Sequence, residues 1–222
     1  NSYFIRTMYN EFTDDEFRMA NTFTLDGEDS EIESGTKDRE ETQTIMSVAV
    51  GGQNIFDTWT IDYQLGYAHS EEDEPGALYY TFVTENQGIS ADLDTQIPVV
   101  SQDASVLDYS SYELDEVSLE KNFTEDTEVS AKLDLTHQFE INGYVAEFKT
   151  GGKIRNREKL ANSDITLFDG DFDDITGADF DAFAPDWGLG KLGPAFDRSG
   201  LQTDFASRRA DLEIAELDSE LE

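Results

Sequence analysis

From Phe56 to Ala68 apolar and polar residues alternate one by one, with Trp59, Ile61, Tyr63, Leu65 and Tyr67 on one parity and Thr58, Thr60, Asp62, Gln64 and Gly66 on the other. A period of two sends successive side chains to opposite faces of a strand, so this stretch predicts a β-strand with one apolar and one polar face. The pattern recurs. Ala131, Leu133, Leu135 and Phe139 alternate with Lys132, Asp134, Thr136 and Gln138, and Tyr144, Ala146, Phe148 and Ile154 alternate with Glu147, Lys149, Lys153 and Arg155. Thr44, Met46, Val48 and Val50 give a weaker version, while Tyr3 to Phe12 is strand-like by residue type rather than by alternation. Five strands are expected, near residues 2–12, 38–50, 56–69, 129–139 and 144–158.

The connections sharpen this picture. Strands two and three should join through Gly51-Gly52-Gln53-Asn54, and strands four and five through Glu140-Ile141-Asn142-Gly143, whose Asn-Gly pair is a hairpin signal. The other connections are long, about 25, 60 and 64 residues with these boundaries, and long structureless loops are uncommon in compact domains. Long and short connections that alternate are a property of transmembrane β-barrels, which have short periplasmic turns and long extracellular loops. Trp59 to Tyr67 spans about 26 Å along a strand. Tilted by about 40°, that covers about 20 Å of height, close to the apolar band of about 25 Å on such barrels. Trp59 and Tyr67 would then stand at the two aromatic girdles. A soluble β-sandwich with a buried aromatic face is the competing fold.

Charge removes several functions. The 222 residues contain 15 Lys and Arg against 50 Asp and Glu, a net charge of −35. Nucleic acid needs a basic footprint and is excluded as a partner, and attraction to bare anionic headgroups is disfavoured. Aromatic residues make up 12% of the chain, which counts against disorder. The chain has no cysteine, so disulfides, thiolate metal sites and cysteine nucleophiles are excluded. No apolar run is long enough for a transmembrane helix. The opening residues Asn1-Ser2-Tyr3-Phe4-Ile5-Arg6 read as strand interior rather than as a signal peptide. Acid is expected in the loops, in Ser70 to Pro75 and in the six aspartates between Asp169 and Asp181. Residues 204–222, with Leu212, Ile214, Ala215 and Leu217 among charges, are expected as a short helix or the approach to a sixth strand.

Tyr3-Phe4-Ile5-Arg6, followed by Tyr9-Asn10-Glu11-Phe12-Thr13-Asp14-Asp15-Glu16-Phe17-Arg18, resembles a strand of the large TonB-dependent outer-membrane receptors, in the proteobacterial subgroup that scavenges complex carbohydrates. Trp59-Thr60-Ile61-Asp62-Tyr63 and Phe148-Lys149-Thr150-Gly151-Gly152-Lys153-Ile154-Arg155-Asn156-Arg157 are similar to other strands of the same barrel region. The resemblance touches the strands and little of the loops. It implies an all-β fold, with residues 1–222 as about five antiparallel strands from the middle of a 22-stranded barrel in the outer membrane of a Gram-negative cell. It also implies a plug domain and a TonB-contacting segment, neither of which is visible in these residues. The implied function is energised import of a bulky nutrient, an oligosaccharide or an iron chelate. The implied partners are outer-membrane lipid, the plug, TonB and the ligand. The alternative is a secreted acidic β-sandwich that binds carbohydrate, with an acidic hydrolase third.

No catalytic constellation stands out, and the expectation is a protein that is not an enzyme. His69 and His137 lie far apart, and carboxylates are too abundant for one acid–base pair to be singled out. Asp169, Asp171 and Asp173 open like a calcium loop, but Asp174 and Phe180 replace the glycine and glutamate of an EF-hand. Calcium is therefore the candidate cofactor, and a solvated acidic loop the alternative. Tyr79, Tyr80, Tyr109, Tyr112, Phe180, Phe183 and Trp187 fall in the expected loops, where aromatics either stack on a ligand or pack the loops together. Tyr79, Tyr80 and Trp187 are the ligand-binding candidates among them. Lys149, Lys153, Arg155 and Arg157 should face the lumen, where Arg155 and Arg157 are candidates for ligand contact and pairing with acidic residues of the plug is the alternative.

Overall fold

The computed structural model describes residues 1–25, 30–85, 88–97, 99–170, 172–185 and 191–215. It is mostly antiparallel sheet. The strands are β1 (Ser2–Thr24), β2 (Glu31–Phe56), β3 (Trp59–Glu85), β4 (Ile89–Asp92), β5 (Val99–Gln102), β6 (Glu113–Ile141), β7 (Tyr144–Asp169) and β8 (Glu213–Ile214), with one helix, α1 (Arg198–Arg208). The main sheet runs β1-β2-β3-β6-β7-β8 and does not close into a barrel, while β4 and β5 form a separate hairpin.

All five expected strands are present, and each is far longer than its alternating segment. The extra length overturns three expectations about connections. The first long connection shrinks to the residues between Thr24 and Glu31. The acidic run Ser70 to Pro75 lies within β3 instead of a loop. Finally, Gly51 and Gly52 sit inside β2, and the turn into β3 is Asp57-Thr58, with Asp57 at a φ of 51°. Glycine is needed at the two positions for close approach: a Cβ on Gly51 would meet the Tyr63 carbonyl and the Phe4 ring, and one on Gly52 would lie 2.7 Å from the Ser2 carbonyl. The expected Asn-Gly hairpin is present. Asn142 and Gly143 have φ of 54° and 81°, the two positive values of a type I′ turn between β6 and β7.

The chain divides into two compact units. The first comprises Asn1–Asp14, Glu41–Pro75 and Asn122–Ser163. It consists of stretches of β1, β2, β3, β6 and β7 and their two tight turns, all in one sheet. Among the described residues it buries no large apolar side chain. A sheet normally buries one face against another layer. Here both faces are open.

The second unit comprises Asp15–Glu40, Gly76–Lys121 and Asp164–Glu222, and it holds the whole described apolar core. Phe82, fully buried, stacks on Phe196 at 4.3 Å and meets the edge of Phe180 at 5.3 Å. Ile32, Leu78, Tyr80, Val106, Tyr112, Leu114 and Leu201 complete much of the cluster. α1 starts at Asp197, whose carboxylate accepts from Gly200 N at 3.1 Å as an N-cap. The helix is tied down by Arg198, which donates to Asp38 at 2.9 Å through Nε and also binds Asp15. Both outcomes expected for residues 204–222 occur in part: the helix ends at Arg208, and β8 pairs with β7, Ile214 opposite Phe168.

Candidate functional site

Alternation in the first unit produces two chemically distinct surfaces. Val48 and Val50 of β2, Leu65 and Tyr67 of β3, Val129 and Ala131 of β6, and Ile154 of β7 line one shallow apolar depression. These side chains are open: Leu65 is 59% exposed and Ile154 77%. At the tight-turn end Trp59 stacks on His137 at 4.2 Å, and Phe139 lies 5.9 Å from the same imidazole. His137 Nδ1 is buried without a hydrogen-bond partner, so the ring serves as an aromatic plate.

The other parity is lined by Arg6, Gln53, Asp62, Gln64, Lys132, Asp134 and Lys149. Gln53 donates to Asp62 at 2.8 Å, Lys132 pairs with Asp134 at 2.9 Å, and Lys149 reaches the same carboxylate at 3.7 Å. Arg155 meets Glu128 at 3.2 Å, and Arg157 grips Asp126 through both Nε and a terminal nitrogen. Every ion pair here links β7 or β6 to a carboxylate of β6. Further along, Gln43 donates to Glu41 at 2.6 Å and to Glu72 at 2.9 Å, while Asn122 donates to the buried Glu74 at 2.8 Å and accepts from Ser163 at 2.7 Å. Amide groups thereby satisfy the buried carboxylates of Glu41 and Glu74, as buried polar groups require.

The expected site residues separate. Arg155 and Arg157 are on the polar face, 56% and 61% exposed, with their acidic partners on β6. Tyr79 and Tyr80 are in β3, not in a loop. Tyr80 is 1% exposed and belongs to the core, so it cannot stack on a ligand; its hydroxyl donates to Asp204 at 2.8 Å. Burial and that neighbouring carboxylate push the Tyr80 phenol well above its ordinary pKa. Tyr79, half-buried, donates to Glu120 at 3.0 Å and carries Lys37 over its ring. Tyr112 and Phe180 are core residues too, which decides for packing over ligand contact at these positions. Trp187 lies outside the described residues.

The calcium candidates do not assemble in what is described. Asp169 caps its neighbour, accepting from Gly170 N at 2.8 Å, and Asp173 lies in a turn. Asp171 lies outside the described residues, and among those residues no three carboxylate or imidazole groups converge to hold a metal. The ladder of Glu41, Gln43, Glu72, Glu74 and Asn122 escaped sequence reasoning because charge density marked Ser70 to Pro75 as loop. The parity of Glu72 and Glu74 with Asp62 and Gln64 was the available signal.

No protein-family model matches the chain, and no curated protein matches it.

Proposed function

We propose that the protein is part of an outer-membrane β-barrel that takes up a bulky nutrient, with the first unit as its membrane wall. The observation that carries this reading is a single-layer sheet with one exposed apolar face, one ion-paired face and no core of its own. In water such a surface is untenable, because extended apolar patches associate. In a bilayer the apolar face is solvated by lipid, and a wet lumen suits the charged face. About ten residues of each strand suffice to cross, and the apolar alternation in β3 and β6 is about that long. Residues on the short-turn side, Trp59 and Phe139 with His137, fit the interfacial girdle.

A carbohydrate-binding sandwich would require a second sheet over Leu65, Tyr67 and Val129, and these remain exposed. Import rather than enzymatic chemistry follows from the barrel reading and from the resemblance to TonB-dependent receptors. The test is cell fractionation followed by solubilisation. The protein should pellet with outer membranes, need detergent to stay dispersed and show strand-rich circular dichroism there. A monodisperse protein in plain buffer, unfolding in one cooperative transition, would overturn the proposal in favour of the sandwich.

A further inference from the structure

Arg6 lies on the polar face of the first unit, in a depression of about 430 Å³ that it shares with Asp62, Gln64 and Asp134. That volume falls within the range of small-molecule sites, about 300–1,000 Å³. In a chain with 50 carboxylates against 15 lysines and arginines, a base finds an acid easily, and Lys132, Lys149, Arg155 and Arg157 have all done so. Arg6 has not. Among the described residues its guanidinium meets no carboxylate and instead lies over the Phe4 ring, 4.2 Å from the centroid.

The local sequence dictates this arrangement. Phe4 and Arg6 are two residues apart on β1, so both side chains take the same face. Gly51 of β2 has no Cβ, and one added there would lie 2.7 Å from the Phe4 ring. The ring thus fills space that a side chain of β2 would otherwise need, and Arg6 rests on it. A guanidinium stacked through its flat face keeps its N–H edge free, and that planar fork matches a carboxylate with two parallel hydrogen bonds.

The groups around Arg6 leave this fork available. Lys132 and Asp134 pair at 2.9 Å, Lys149 reaches the same carboxylate at 3.7 Å, and Gln53 donates to Asp62 Oδ1 at 2.8 Å. Around the depression Arg6, Lys132 and Lys149 therefore outnumber Asp62 and Asp134, a local positive surplus in a chain of net charge −35. Physiological salt screens exposed acids more than about 8 Å away. The Gln64 amide, which makes no side-chain hydrogen bond among the described residues, and Asp62 Oδ2 remain to meet hydroxyl groups.

We propose that this depression binds the carboxylate end of a polyhydroxylated acid, with Arg6 gripping the carboxylate and Gln64 and Asp62 taking hydroxyls. The proposal deepens the uptake reading by giving its ligand a chemical class, and it rests on that reading in that the polar face must be wet.

The test is equilibrium dialysis of radiolabelled gluconate against the protein extracted in detergent from its own membrane. Sorbitol, which carries the same hydroxyl chain without the carboxylate, and inorganic phosphate serve as competitors. Gluconate should bind saturably, and each competitor should need at least tenfold higher concentration than gluconate itself to displace it. Arg6→Gln should weaken binding at least tenfold, and Phe4→Leu, which keeps the charge but removes the plate beneath it, severalfold. Arg18→Gln, an equal loss of charge on β1 outside the depression, should leave it unchanged. No saturable binding, sorbitol or phosphate competing as well as gluconate, or Arg6→Gln without effect each overturns the proposal. A spin label at Leu65 in the same samples separates the two readings. If Leu65 meets lipid while gluconate does not bind, the ligand site alone fails; if Leu65 meets water while gluconate binds through Arg6, the barrel reading alone fails.

Discussion

At Leu65 and Gln64, neighbours on β3, the two faces of the first unit can be compared with one substitution. Arginine at Leu65, one step from the Tyr67 girdle, would place a charge in hydrocarbon and should cost an amount between the about 2–4 kcal/mol of a midplane site and the about 0–1 kcal/mol of an interfacial one. Arginine at Gln64 should cost far less, because that parity already holds Asp62, Lys132 and Asp134. Urea titrations of both variants refolded into lipid vesicles check the difference; equal costs would argue against lipid on the Leu65 side. In the second unit the sensitive residues are of a different kind. Phe82→Ala removes a fully buried ring between Phe180 and Phe196 and should cost about 3–5 kcal/mol. Tyr80→Phe keeps the packing and strips a donor from Asp204, a loss of about 1–3 kcal/mol, with Arg208 at 2.5 Å still holding the carboxylate. The raised Tyr80 phenol also sets an alkaline limit. Its contribution is complete below the ordinary tyrosine pKa of about 10 and is lost as pH rises beyond it toward the native value. Tyrosinate absorbance should therefore grow in step with loss of structure in this unit, and be delayed relative to free tyrosine.

Among the elements, α1 depends most visibly on one side chain. The Ser199 hydroxyl, and after it the Gly200 N–H, hold the Asp197 carboxylate below the usual aspartate pKa. The cap's contribution is complete above the unfolded value of about 3.9 and is lost as pH falls through the lowered native one. Helical circular dichroism should fall in that acid window, and Asp197→Ala should remove the acid step while lowering helicity at neutral pH. Asp197→Asn, which keeps the capping oxygen but cannot be charged, should retain the helix without the step.

The strands were legible where one face is apolar. Trp59 to Tyr67 and Ala131 to Phe139 announce themselves because apolar side chains recur at alternate positions. The same strands run on as Ser70–Glu85 and Glu113–Glu128, where charges hide the period, and there the sequence looked like loop. Gly51 and Gly52 misled for a related reason: glycine marks a turn by its conformational freedom and a close contact by its missing Cβ, and only the positions of Phe4 and Tyr63 distinguish the two. The placement of Asn142-Gly143 was recoverable because a type I′ turn needs two positive φ values. Of the candidate site, parity showed that the basic residues of β7 share one face. Their partners on β6 were not legible, since cross-strand pairing depends on register. Tyr80 was misassigned because a core tyrosine and a ligand-stacking one are the same residue in sequence; burial separates them.

For the whole molecule, the division of core is the main fact. Every described buried apolar side chain belongs to the second unit, and every strand stretch of the first lacks a covering layer. The two units should accordingly respond differently to solvent: the first should lose order when detergent is withdrawn, while the second, with Phe82, Phe180 and Phe196 at its centre, should keep near-ultraviolet aromatic signals longer. The most direct measurement is a nitroxide scan of β3 from Thr60 to Ala68 in lipid vesicles, with oxygen and a water-soluble nickel chelate as collision partners. The account predicts collision with oxygen peaking at Ile61, Tyr63, Leu65 and Tyr67, and collision with the chelate peaking at Asp62, Gln64 and Gly66. Labels on both parities that meet only the chelate, or an oxygen maximum at Asp62 and Gln64, would contradict it.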